Sequence, residues 1–178
     1  MKIADLCCGL GGWVIPGHRF IGFDIERMPY PGEFVLADVR ALDGRRFRDF
    51  DLILASPPCQ QFSQMLRIGK DRTPPNPDLS IVEACFRIRR ESGVPTIIEN
   101  VRDARRYFPE PAQCHRGPYW LWGDVPLLPI LRLKPKIGGS FHKGRPSWSV
   151  RRWNDKSNSQ ERARIPRELA RAVIGAFA

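Results

Sequence analysis

Apolar positions along this chain fall in short runs, each closed by polar or turn-forming residues, and the spacing within each run predicts an element. Lys2–Leu6, Arg19–Asp24 and Glu33–Leu36 read as short strands. Asp51–Ala55 and Val94–Ile98 carry continuous apolar stretches, as strands covered on both faces do. Asp78–Glu91 has helical spacing: Ile81, Cys85 and Ile88 form a stripe with Val82 and Phe86 beside it, Asp78 or Ser80 can cap the start, and Gly93 ends it. Pro166–Phe177 repeats the pattern, with Leu169, Val173 and Phe177 on one face, Ala170 and Ile174 alongside, and proline in the first turn. Val39–Phe50 has room for one short helix, and Ile130–Lys134 reads as a late strand. Tyr107–Pro129 reads as irregular and aromatic, and Gln64–Pro77 as a loop, either a lid or a plain connection. Strands alternating with helices or turns predict an α/β fold with a mostly parallel sheet. No repeat or second domain is visible, so residues 1–178 read as one domain.

One connection is out of pattern. Only about six residues separate Gly12 from Arg19, whereas a parallel crossover normally takes a dozen or more, usually as a helix. The first helix of the fold is therefore expected to be reduced to a turn, thinning one wall of any site beside it.

Composition adds a partner. The net charge is +10, and residues 132–164 hold ten Lys/Arg against Asp155 and Glu161, so +8 of it lies in that stretch. Pro135–Arg162 is also poor in aliphatic residues. We read residues 132–164 as a basic loop that orders on binding a polyanion, most simply nucleic acid. The aromatic run Tyr119-Trp120-Leu121-Trp122-Gly123 serves either to stack bases or as a minor core. No apolar run is long enough to span a membrane and the first residues do not read as a signal peptide, so a cytoplasmic protein is expected. Five cysteines, odd in number and with no C-x-x-C pair, argue against disulfides and a zinc cluster; no metal is expected.

The chemistry gathers at strand ends. Gly9, Gly11 and Gly12 follow the first strand, Asp24 ends the second, Cys59 follows the fourth behind Pro57 and Pro58, and Glu99 follows the fifth. In open α/β sheets ligands bind at the carboxyl ends of strands, where strand order reverses. If that reversal lies between the first and fourth strands, these residues meet. The glycine turn and Asp24 then suit an adenosine-type cofactor, Asp24 accepting from ribose hydroxyls. Prolines hold Cys59 on a stiff turn as a nucleophile. A thiolate beside a carboxylic acid suits attack on carbon 6 of a pyrimidine, with the acid donating to ring nitrogen 3 so that carbon 5 becomes nucleophilic.

The motifs then become specific. Asp5-Leu6-Cys7-Cys8-Gly9-Leu10-Gly11-Gly12 resembles the first motif of the cytosine-5 DNA methyltransferases (DLFCGxGG), with Cys7 where phenylalanine is usual. Gly22-Phe23-Asp24-Ile25-Glu26 and Ala37-Asp38-Val39 are similar to the second and third, Pro57-Pro58-Cys59-Gln60-Gln61-Phe62-Ser63 to the PPCQxFS motif in full, and Glu99-Asn100-Val101 to ENV. The terminal Arg164-Ile165-Pro166 helix resembles the ending of compact phage-type members. The family's QxRxR motif is only partly matched by Gln113-Cys114-His115-Arg116.

The resemblance implies a Rossmann-like methyltransferase fold, S-adenosyl-L-methionine as methyl donor, and a cytosine flipped out of DNA, since carbon 6 is shielded in a stacked duplex. It makes Cys59 the nucleophile, Glu99 the acid and Arg116 a substrate-site cation. It places Asp5, Cys7, Gly9, Gly11, Gly12, Asp24, Ile25, Asp38, Val39 and Pro57 at the cofactor, and Pro58, Gln60, Ser63, Asn100, Arg151 and Arg152 at the substrate. Only about fifty residues separate Gln113 from Arg164, where most members carry a large recognition region. Short or relaxed sequence preference is therefore expected, with mostly phosphate contacts and salt-sensitive binding. A tRNA-acting relative and a non-catalytic nucleic-acid-binding relative are the alternatives. Oligomeric state is left open.

Overall fold

The computed structural model describes residues 1–62, 76–131, 133, 141–142, 145–146 and 164–178. Seven strands form one sheet: β1 (Lys2–Leu6), β2 (Arg19–Asp24), β3 (Glu33–Leu36), β4 (Leu52–Ala55), β5 (Thr96–Asn100), β6 (Cys114–Arg116) and β7 (Tyr119–Gly123). Their order is β3-β2-β1-β4-β5-β7-β6. The first five run parallel, and the hairpin β6–β7 adds antiparallel strands beside β5. The chain moves outward from β1 to β3, then returns to start β4 on the other side of β1. Strand order thus reverses between β1 and β4, as the strand-end residues require, and the fold is Rossmann-like with a mostly parallel sheet. Two-residue strands β8 (Phe141–His142) and β9 (Arg145–Pro146) pair with each other; otherwise the basic stretch lies largely outside the described residues.

Alternation along the strands builds two cores. Ala4, Leu6, Ile53, Ala55 and Ile98 face helix α1 (Ser80–Ser92), which contributes Val82, Cys85, Phe86 and Ile88. Ile3, Leu52, Leu54 and Ile97 face helix α2 (Arg167–Gly175), which contributes Leu169, Ala170, Val173 and Ile174. Cys85 is core, as its stripe predicts. Gly93 ends α1 in the left-handed conformation at φ 68°, and Asp78 accepts from the Ser80 N–H at the start.

The short first crossover holds no helix, as expected, but the wall is not thin. Trp13, 1% exposed, and Ile15 turn inward and join α2 in the second core. The helix this face lacks after β1 is supplied by residues far along the chain. A Cβ on Gly12 would lie 2.7 Å from the Ile165 backbone nitrogen, so the glycine turn and the segment leading into α2 touch main chain to main chain. Tyr30 completes the cover: a Cβ on Gly22 or Gly32 would collide with its ring, and one on Gly11 would collide with Pro31 and crowd that ring.

Four expectations are corrected. Residues 39–50 form two 3₁₀ turns, Val39–Ala41 and Gly44–Phe47, because Asp38 and Asp43 each cap the N–H two residues on and restart the chain. The fifth strand begins at Thr96 after Pro95, which has no N–H to pair, so Glu99 and Asn100 lie inside β5. Residues 114–123 form a hairpin, hidden in the sequence because Tyr119 and Leu121 face one core while Trp122 faces the other. Ile130 is in no strand and is 95% exposed. The lid reading of Gln64–Pro77 falls mostly on residues 63–75, outside the described residues. Among the described residues no helix is long and apolar enough to cross a membrane.

Candidate active site

A cavity of about 210 Å³ opens at the carboxyl ends of the five parallel strands β1 to β5. Cys7, Asp24, Ile25, Asp38 and Val39 line one end, and Pro57, Pro58, Cys59, Gln60 and Glu99 line the other. Ten residues singled out from separate motifs therefore share one space. The strand reversal brings them together: β4 and β5 deliver Pro57, Pro58, Cys59, Gln60 and Glu99, β1 and β2 deliver Cys7, Asp24 and Ile25, and Asp38 and Val39 follow β3.

The turn that presents Cys59 is held from several sides. Ser56 donates its N–H to the Leu6 carbonyl (3.1 Å), and its Oγ accepts from Trp13 Nε1 (2.9 Å). Asn100 Nδ2 donates to the Pro57 carbonyl (2.9 Å), while its Oδ1 accepts from the Val101 N–H. Phe62 N–H closes onto the Cys59 carbonyl (3.1 Å), and the buried Phe62 ring packs on Tyr107 and Phe108. Cys59 is partly exposed. Glu99 is 5% exposed in β5, opposite Leu121 of β7. Burial, with the Glu99 charge second, pushes the Tyr119 phenol up to about 12. The other thiol in the cavity, Cys7, is pushed well up by its contact with the Cys85 thiol and by burial.

At the opposite end Asp24 accepts from the Gly9 N–H (2.9 Å) and the Glu26 N–H (3.1 Å). A carboxylate has about four acceptor positions, so two N–H bonds leave room for two hydroxyl donors. Ile25 beside it is 61% exposed, an apolar surface suited to a flat ring. A Cβ on Gly9 would meet nothing within 4 Å. These features fit an adenosine group: acceptors for a ribose diol, an apolar face for the base, and open space above the glycine turn. Asp38 is more encumbered. It accepts from the Arg40 backbone N–H (2.9 Å), from Arg40 Nε at 3.0 Å on both oxygens and from Nη2 at 2.6 Å, and this pairing holds its carboxyl below the usual range.

Other expected site residues lie elsewhere. Asp5 is buried beneath the site, accepting from Tyr30 Oη (3.1 Å), and burial holds its carboxyl well above the usual range. Gly11 and Gly12 back onto Pro31 and Ile165. Asn100 stands behind the proline turn, where it fixes Pro57. Arg116 is not brought to the cavity: on edge strand β6 its guanidinium donates to the carbonyls of His115, Leu128 and Pro129, stapling the loop after β7. A partial motif match carried that expectation, and strand pairing decided otherwise. Ser63, Arg151 and Arg152 lie outside the described residues. Sequence reasoning missed Arg40 and Ser56, both on the cavity wall. The Asp38-x-Arg40 spacing, repeated at Asp43-x-Arg45, was the available signal for the first.

Residues 24–105 match the C-5 cytosine-specific DNA methylase family. The methylase match begins at Asp24 and runs through Asp38, Cys59 and Glu99, so it covers both ends of the cavity. Methylases of this family draw on S-adenosylmethionine as donor. Similar solved structures include the Entamoeba histolytica methyltransferase EhMeth (18% identity, TM-score 0.45), covering 60% of this chain and 39% of that one. The S. pombe Dnmt2 methyltransferase is 21% identical with a TM-score of 0.41, covering 60% and 38%. The Spodoptera frugiperda DNMT2 mutant is 21% identical with a TM-score of 0.36, covering 57% and 35%. The chain thus spans well under half the length of these neighbours. No curated protein matches it in sequence.

Proposed function

We propose that this chain transfers a methyl group from S-adenosylmethionine to carbon 5 of a cytosine in DNA. The observation that carries the reading is the shared cavity, with Cys59 and Glu99 at one end and Asp24, Ile25 and Val39 at the other. DNA is preferred over RNA because the family matched by residues 24–105 is described as a DNA methylase.

The residues divide the work as follows. The Cys59 thiolate adds to carbon 6 of an extruded cytosine, forming a carbon–sulfur bond, while Glu99 gives a proton to ring nitrogen 3. Electron density then gathers at carbon 5. Bound S-adenosylmethionine would give its sulfonium methyl group to that carbon and leave as S-adenosylhomocysteine. Loss of the carbon 5 proton to water, expulsion of Cys59 as its thiolate and return of the nitrogen 3 proton to Glu99 restore the ring. Pro57, Pro58 and Asn100 keep Cys59 in place through these steps, and Asp24 and Ile25 orient the donor's adenosine. Extruding the base is required because a stacked pyrimidine hides carbon 6.

Tritiated methyl transfer to duplex DNA, single-stranded DNA and tRNA tests the reading. Incorporation into DNA that disappears in Cys59→Ala supports it. Incorporation into tRNA alone moves the substrate to RNA, and no incorporation into any of the three removes the enzyme reading.

A further inference from the structure

The aromatic run of β7 is divided between core and surface. Tyr119 and Leu121 are buried on the α2 side and Trp122 on the α1 side, but Trp120 is only half-buried. The Arg105 guanidinium carbon lies 4.2 Å over the Trp120 ring centre. The His115 ring stacks on Trp120 at 4.5 Å, with planes 16° apart. Arg105, Trp120 and His115 thus form one stacked cluster. Within it Arg105 and His115 are exposed.

The stack stands beside the candidate chemistry. Trp120 is the cross-strand partner of Asn100, the residue after Glu99. The 3₁₀ turn Arg102–Arg106 leaves β5 just beyond and carries Arg102, Arg105 and Arg106, all exposed. The acids nearby do not neutralise them, since Asp103 is buried and Glu110 is paired with Arg89 at 2.8 Å. Cations next to a flat exposed ring match a polynucleotide, which offers phosphates and base faces together. An acidic polypeptide offers only the charge.

We propose that Arg102, Arg105 and Arg106 hold phosphates of the strand carrying the target cytosine, and that the outer face of His115 stacks an unpaired base beside it. The surface rests on the methyltransferase reading for its substrate, but its binding is measurable without catalysis.

Fluorescence anisotropy of the full chain tests it, using labelled duplex and single-stranded DNA of about 20 nucleotides. Arg105→Gln is expected to weaken both probes about 3- to 10-fold and to reduce the slope of log affinity against log salt by about one. His115→Ala is expected to weaken the single strand by about five-fold or more with the slope unchanged. Arg102→Gln, further from the stack, repeats the phosphate test should Arg105→Gln lose its fold. Unchanged affinity and slope in these variants overturns the proposal. So does wild-type protein that binds neither probe, or displacement of the DNA by poly-glutamate of matched charge. Binding that depends on Arg105 without methyl transfer leaves the surface standing and removes the proposed activity. Methyl transfer with binding indifferent to these residues does the reverse.

Discussion

Single residues set the chemistry, and their predicted effects differ in kind. Glu99→Gln keeps the shape and removes the proton, so kcat should fall about 10²- to 10⁴-fold with donor affinity intact, measured by single-turnover transfer alongside calorimetry. Arg40→Ala acts in the opposite direction. Arg40 occupies the acceptor positions of Asp38, so removing it should tighten binding of S-adenosylhomocysteine about two- to five-fold, as expected for one half-exposed ion pair. Asp38→Ala should abolish that gain when the two changes are combined, a cycle that calorimetry can close. Asp5 gives a pH signature. Its folded pKa lies above its unfolded value, so the native state holds a proton that the unfolded chain has released, and stability falls as pH rises from about 4 upward. Asp5→Asn should keep the Tyr30 contact and flatten that decline, raising Tm at pH 7 more than at pH 4.

Elements explain what was readable in the sequence and what was not. β1, β2 and β3 match their expected bounds, because each apolar run is closed at both ends by residues with a clear preference. α1 is displaced by a residue or two, as helix ends usually are. The β6–β7 hairpin was not legible because alternation between two buried faces looks like an unbroken aromatic run. The cover supplied by α2 was not legible either: nothing local to Gly12 announces that Ile165 will fill the space. Both points can be tested by denaturant unfolding. Leu169→Ala should cost about 2–5 kcal/mol, as for other fully buried leucines. Gly12→Ala places a methyl group against backbone that cannot swing away and should cost roughly 1–3 kcal/mol.

At the scale of the whole molecule, the parallel sheet carries the candidate site and the antiparallel hairpin carries the cationic stack beside it. The motifs that line the cavity were legible because short, ordered signatures survive without their surroundings. What surrounds them is a property of pairing and packing. Arg116 had a motif but was drawn to the carbonyls of a neighbouring loop, whereas Arg105 had none and stands over Trp120.

The borrowed wall also has a consequence in time. The helix that covers Trp13 is made about 150 residues after it. At 5–20 residues per second this interval is roughly 8–30 s, during which the indole and the sheet face beneath it have no native cover. A nascent chain halted before Ile165 should be sensitive to protease around Trp13, and that sensitivity should vanish once residues 165–174 have emerged. Closure of this face thus depends on contacts of high sequence separation, which form slowly.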